Sequence, residues 1–301
     1  MGVDSGFISL NLNRANDLVV TSTLESAVDV GSRSHVGLVR ENNEDSLLAA
    51  PEMNLFVLSD GMGGLASGEV ASRLTVDTIL AHCREADANP SLDFVGTRIA
   101  GVTETSNRLA SAVRRANRAV FRASRDKGDH LGMGSTVVAV RLVDQRMSVA
   151  HVGDSRAYAL RGNRLEQLTQ DHSFVAEQVR RGRMSEHDAG IGNLQNVLTR
   201  AVGVDADVEV DVSEELFLDG DTVLLCSDGL TRELSDNQIA GILREAEDAQ
   251  GAADQMVNLA NAAGGRDNVT VIVIRQVPSA SSAFWGIGRL GRWFSRSGNR
   301  S

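Results

Sequence analysis

The chain is 301 residues long, 42% hydrophobic and carries a formal net charge of −10. That length suits one large domain of globular composition, and the acidic balance argues against binding nucleic acid by bulk attraction. Two cysteines, Cys83 and Cys226, are too few for a disulfide framework and read as reduced core thiols.

Residues 1–28 show no sustained period and read as a flexible N-terminal arm. Their polar residues Asp4, Asn11, Asn13, Arg14 and Asp17 leave no apolar leader, and no run anywhere approaches membrane-spanning length, so a soluble, cytoplasmic protein is expected. Residues 35–48 read as strand, polar loop, strand. Leu55 to Leu58 is an apolar run expected to be a buried strand, ending in Ser59-Asp60-Gly61, where Asp-Gly marks a sharp turn. Helical spacing returns over 68–81 and again over 102–125, where Leu109, Val113, Ala116 and Val120 form one stripe and Arg114, Arg115, Arg118 and Arg122 lie off it. Residues 136–143, 147–153 and 156–161 alternate as strands, with Gly162-Asn163 as a hairpin turn, and read as an antiparallel meander.

Residues 171–200 are polar, helical only over 174–181, and long enough to cover a site as a lid. A second buried strand, Thr222 to Cys226, again delivers Ser227-Asp228-Gly229. Helices over 235–247 and 252–263 precede a last strand over 269–275, which Asp267 introduces. Strands joined by short turns, with helices grouped in pairs, argue for an α+β fold of two antiparallel sheets covered by helices. A doubly wound parallel sheet is disfavoured.

An isolated Asp-Gly marks no more than a turn, but Asp60, Asp228 and Asp267 place three acids at strand ends beside glycine. Carboxylates without a partnering His or Cys cluster suit hard cations such as Mg²⁺ or Mn²⁺, and disfavour zinc. Converging acids repel unless divalent ions neutralise them, and a pair of such ions activates water for phosphoryl displacement.

The ordered motifs Arg40 with Glu44-Asp45, Ser59-Asp60-Gly61-Met62-Gly63-Gly64, Gly132-Met133-Gly134-Ser135-Thr136, Val152-Gly153-Asp154-Ser155-Arg156, Ser227-Asp228-Gly229 and Arg266-Asp267-Asn268-Val269-Thr270 resemble those of the metal-dependent protein phosphatases. This is the type 2C Ser/Thr family, and the likeness is to its bacterial branch over residues 30–277. It implies a central antiparallel β-sandwich flanked by helix pairs, four layers in the order α-β-β-α. It also implies hydrolysis of phosphoserine and phosphothreonine in proteins by metal-activated water, with a partner Ser/Thr kinase among the substrates this branch often takes. Carried over, Asp60 would bridge two Mn²⁺ or Mg²⁺ ions, the Gly61 carbonyl and Glu44 would serve one side, and Asp228 with Asp267 the other. Asp154 matches the ligand of a weaker third ion, with Asp228 shared, and Arg40 would bind the substrate phosphate. Without that role Arg40 would be a surface arginine paired with Glu41 or Glu44.

Two departures stand out. Met62 takes the place after Asp-Gly where the eukaryotic branch commonly has His, so leaving-group protonation has no assigned side chain and falls to water. Gly192-Asn193-Leu194-Gln195 stands where bacterial relatives often show His-Pro, so a lid of different shape is expected. His172 reads as a hydrogen-bonded surface residue that could reach the site from the lid base, and His151 as a sheet residue. A P-loop over 128–136 lacks its lysine. A non-catalytic phosphopeptide-binding or regulatory module on the same fold is the alternative, but it would be expected to have lost metal ligands.

The organisation expected is an arm (1–28), a catalytic domain (29–277) and a basic tail (278–301). Wound as a helix, the tail places Phe284, Ile287, Leu290 and Phe294 on one face and Arg289, Arg292 and Arg296 on the other. Two readings stay open for residues 283–296: a peripheral anchor on anionic lipid, or docking back onto the acidic domain.

Overall fold

A strand that is apolar on both faces needs cover on both sides, and this chain supplies it by stacking two sheets and closing each with a helix pair. The computed structural model describes residues 28–63, 67–126, 132–185, 194 and 197–277. Residues 1–27 of the arm, the tail, and residues 186–193, 195 and 196 of the expected lid lie outside the described residues, and the lid's described part includes the short helix α3 (Phe174–Arg180).

One sheet runs β1 (Val28–His35), β11 (Val269–Gln276), β10 (Thr222–Cys226), β7 (Arg156–Arg161) and β8 (Arg164–Gln167). The other runs β2 (Asp45–Ala50), β3 (Leu55–Met62), β5 (Val137–Val143), β6 (Arg146–Val152) and β9 (Asp211–Leu216), with the short β4 (Gly134–Ser135) beside the end of β3. All pairings are antiparallel. Side chains alternate between layers. Phe56 and Leu58 of β3, Val223 and Leu225 of β10, and Ile272 and Ile274 of β11 meet in the core between the sheets. Their sequence neighbours point outward to the helices. Leu55 and Val57 pack with Ile79, Leu109, Val113 and Val120 of α1 (Ser67–Ala88) and α2 (Glu104–Asp126). Leu224, Val271 and Val273 pack with Ile239, Met256 and Val257 of α5 (Asp236–Glu245) and α6 (Ala249–Ala263). The four expected layers are therefore present.

Helix α5 begins at the expected Ser235, whereas α6 begins three residues before the expected start at 252 because Asp248 caps it there. Ser235 and Gln238 form a capping box on α5, and Asp248 caps α6 by accepting from the Gly251 N–H at 2.6 Å. Cys83 and Cys226 are both buried and unbridged. The predicted meander is corrected at one point: β6 and β7 do not pair. After Val152 the chain crosses through Gly153-Asp154-Ser155 to the opposite sheet, where β7 pairs β10. A connection this short fits a hairpin, but it also suffices to step between stacked sheets, and the step leaves Asp154 between them.

Two further elements escape the sequence reading. Strand β9 (Asp-Val-Ser-Glu-Glu-Leu) is a half-exposed edge with no apolar run, and α4 (Asp228–Thr231) is a single turn after β10. Among the described residues no helix is long and apolar enough to cross a membrane.

Candidate active site

The apolar strands of both sheets end at one edge of the sandwich, and there they deliver their acids. Asp60 lies near the end of strand β3, Asp228 opens α4 beyond β10, Asp267 precedes β11, Glu44 precedes β2, and Asp154 sits in the crossover. Together with Arg40, Gly61, Met62, Thr136, Leu198 and Arg232 they line one cleft of about 190 Å³. Every residue expected at the site is there.

The two Asp-Gly glycines are not turns, which corrects the sequence reading. β3 continues through Gly61 to Met62, and Gly229 lies inside α4. What each position requires is absence of a side chain: a Cβ on Gly61 would sit 2.1 Å from the Gly68 carbonyl oxygen, and one on Gly229 would sit 2.0 Å from that of Asn268. Backbone is thereby brought against backbone around both acids.

Hydroxyls and amides fix the acids from behind. Thr136 donates its N–H to the Asp60 carbonyl at 2.8 Å and accepts the Asp60 N–H on its hydroxyl at 3.0 Å. The Ser135 hydroxyl donates to the same carbonyl at 2.8 Å, so the Gly132 to Thr136 motif serves to hold Asp60. Asn268 accepts the Glu44 N–H at 2.8 Å and donates to the Val36 and Asn42 carbonyls at 2.9 Å, tying the loop that carries Arg40 and Glu44 to β11. Asp45, opposite Asp60 in register, takes a hydrogen bond from Ser227 at 2.9 Å, while its Oδ1 is buried without a partner. None of these supporting roles is visible in sequence, since Thr, Ser and Asn near a glycine read equally well as turn residues.

Arg40 does not pair with Glu41 or Glu44. It grips Asp267 with two bonds, Nε to Oδ1 and Nη2 to Oδ2, each 3.0 Å. Arg232 donates to the same Oδ2 of Asp267 at 3.0 Å and pairs with Asp228 as well.

Burial and mutual repulsion raise the acids' proton affinity. Asp60 is pushed well up, by desolvation first and then by Asp45, Asp228 and Asp154. Desolvation likewise pushes Asp154 and Asp45 up to about 7, and Asp228 up to about 6. A cluster of carboxylates this crowded, with an orphaned buried oxygen and oxygen-only donors, fits a hard divalent cation.

His151, His172 and Asp211 also bring ligand-type atoms within 4.8 Å of one another, away from the cleft. His172 is buried rather than on the surface, contrary to the sequence expectation, because β6 and β9 close over it. Its Nδ1 accepts the Gly153 N–H at 3.1 Å, leaving Nε2 to face Asp211 at 3.1 Å. His151 stacks on it with centroids 4.7 Å apart. Arg200 occupies the other oxygen of Asp211, and these partners hold that carboxyl far below the usual range. With His151 Nε2 bonded to the Gln170 carbonyl at 2.9 Å, His172 engaged by Gly153 and Asp211, and Asp211 by Arg200, the trio's ligand-type atoms already have protein partners and form a hydrogen-bonded knot. It supports the base of the expected lid: the His172 carbonyl accepts the Thr199 N–H at 2.8 Å, and Ser173 bridges Leu198, which lines the cleft.

A sandwich that gathers carboxylates at one edge around a cleft, beside an arginine able to grip an oxyanion, defines a metal-dependent phosphoester hydrolase. The family model described as Protein phosphatase 2C matches residues 33–269. The chain is 34% identical over 247 residues to the serine/threonine phosphatase stp of Listeria welshimeri, covering 81% of this chain and 94% of that protein. It is 38% identical over 242 residues to the serine/threonine protein phosphatase PstP of Mycobacterium tuberculosis, covering 80% of this chain and 44% of that protein. Its fold matches the crystal structure of the catalytic domain of the phosphatase PstP in complex with two manganese ions, with a TM-score of 0.70 and 36% identity over 83% of this chain and 99% of that one. The chain belongs to the protein phosphatase 2C family.

Proposed function

We propose that the acid-lined cleft hydrolyses phosphoserine and phosphothreonine esters of proteins, in a reaction that depends on Mn²⁺ or Mg²⁺. The observation that carries this reading is the convergence of Glu44, Asp60, Asp154, Asp228 and Asp267 on one cleft beside Arg40. The manganese-bound PstP structure supports the choice of ion. Asp60, with Glu44 and the Gly61 carbonyl on one side and Asp228 with Asp267 on the other, would hold two ions, and Asp154 with Asp228 would hold a weaker third. Bound there, such ions supply an acidified water and positive charge for the reacting phosphate. Thr136, Ser135 and Asn268 fix the backbone that carries Asp60 and Glu44, and Arg40 binds and orients the phosphate. Met62 cannot donate a proton, and among the described residues lining the cleft there is no histidine, so the leaving oxygen takes its proton from water.

The non-catalytic alternative is disfavoured because every carboxylate is retained and converges. Incubating the purified chain with a phosphothreonine peptide, with Mn²⁺ and then with excess chelator, tests the proposal. Phosphate release is expected only with the metal, and release that persists in chelator would contradict it.

Arg40 gives a sharper test. Its two-bond pairing with the Asp267 carboxylate supports a guanidinium placed to grip an oxyanion. Arg40→Ala is expected to lower kcat/KM by roughly 10–100-fold at saturating Mn²⁺, mostly through KM, as losing a charged two-bond contact does. An unchanged KM would return Arg40 to a purely structural role.

A phosphorylated partner kinase is assigned as one protein substrate, by analogy with this branch of the family. For the tail, outside the described residues, the alternation of aromatics with Arg289, Arg292 and Arg296 supports an anchor on anionic lipid. Full-length protein is expected to co-sediment with anionic vesicles in a salt-sensitive way, and truncation after Pro278 to abolish this without lowering hydrolysis of a small phosphate ester. Vesicle binding that survives truncation would defeat the anchor, and raised activity on truncation would favour docking onto the acidic domain.

A further inference from the structure

Of the described charged residues lining the cleft, Arg232 alone has no place in the roles assigned so far. It follows the single turn of α4, and its N–H reaches the Asp228 carbonyl at 2.9 Å, so helical geometry returns its side chain over Asp228 four residues back. There the guanidinium spans two carboxylates: Nη2 pairs with Asp228, and Nη1 lies 3.0 Å from Asp267 Oδ2. Its side chain is 28% exposed and lines the cleft. The neighbouring acid is not an alternative partner, because Glu233 turns the other way and is held by Arg266 at 2.9 Å.

Asp228 and Asp267 are the two acids assigned to one ion, so Arg232 and that ion seek the same oxygens. A carboxylate oxygen already accepting from a guanidinium has less electron density to offer a cation, and a fixed positive charge in the cleft repels one. We propose that Arg232 is an internal counter-ion of the metal site: it neutralises Asp228 and Asp267 in the metal-free protein and must release them when a divalent ion binds. This rests on the metal-site reading above. Without Arg232, Asp228 would lose its ion-pair partner, and Asp267 would keep Arg40 alone. The device therefore exchanges metal affinity for stability of the empty site.

The test is Mn²⁺ binding by isothermal titration calorimetry, with melting in chelator as a second readout, on wild type, Arg232→Gln and Arg232→Lys. Arg232→Gln is expected to bind Mn²⁺ about tenfold more tightly and to melt lower than wild type in chelator, since a competing ion pair no longer has to be broken. Arg232→Lys, which keeps the charge, is expected to stay within about twofold of wild type in affinity. Equal or weaker Mn²⁺ binding by Arg232→Gln, with wild type binding normally, would overturn the counter-ion proposal alone. A wild type that binds no Mn²⁺ would overturn the metal-site reading and the proposal together. If Arg232→Gln does not fold, the wild type decides: the Arg232 side-chain N–H signals in NMR should be protected from exchange in chelator and lose that protection on adding Mg²⁺. Protection indifferent to Mg²⁺ would overturn the proposal.

Discussion

Asp60→Asn is expected to lower turnover of a phosphothreonine peptide by at least about 10³-fold at saturating Mn²⁺, a loss on the scale of removing a group that stabilises charge at the reacting centre. The fold should survive. Asp60 is held through its backbone by Thr136 and Ser135, and those bonds do not involve the carboxylate. Asparagine keeps the shape and removes the charge, and because burial and its acidic neighbours already penalise that charge, the metal-free variant should melt no lower than wild type. Asp228→Asn and Asp267→Asn should also lose most activity, but with a stability cost, since each removes one of the two partners of Arg232 and Asp267→Asn also leaves Arg40 without its partner. Single-turnover kinetics with melting curves on the same preparations check the set. Near-wild-type turnover by Asp60→Asn would remove it from the centre of the site.

Divalent metal is expected to raise the melting temperature, and to raise it more at higher pH. An ion that binds only the folded chain adds about 2.7 kcal/mol at a hundredfold excess over its Kd, which corresponds to about 5–10 °C for a domain of this size. The pH dependence follows from the crowded acids. Asp45 and Asp154 are pushed up to about 7 and Asp228 to about 6, from an ordinary value of 3.8 in the unfolded chain. Between those limits the folded, metal-free protein binds more protons than the unfolded chain. Their stabilising contribution is therefore complete below about pH 4 and is lost as the pH rises through about 6 to 7. In chelator the melting temperature should fall from about pH 5 to pH 8, and Mn²⁺ should reverse the trend because it binds the ionised acids. A melting temperature indifferent to Mn²⁺ at about pH 8 would contradict a metal site at this edge.

The strands that deliver the acids were legible because they are buried on both faces. Leu55 to Leu58 and Thr222 to Cys226 have no polar face to show, so each is an uninterrupted apolar run that stops where its acid begins. Edge strand β9 offered no such run: Glu214 bonds Thr103 and Ser106, Glu215 lies by Arg161, and Asp211 belongs to the histidine knot. Each acid has a reason that only tertiary contact reveals. The crossover at Gly153 to Ser155 was hidden because chain length does not distinguish a hairpin from a step between sheets. His172 looked like a surface residue for the same reason, since the strands that bury it lie far apart in sequence. Arg232 was the least legible. In sequence it is an arginine after a short turn, and only the convergence of β10 and β11 brings Asp228 and Asp267 together beneath it.

The most direct measurement is anomalous X-ray scattering at the manganese edge from crystals grown with Mn²⁺. Peaks are expected in the cleft against the Asp60 carboxylate, with Asp228 and Asp267 on one side and Glu44 with the Gly61 carbonyl on the other. A cleft without manganese, or a peak seated instead among His151, His172 and Asp211, would contradict the account.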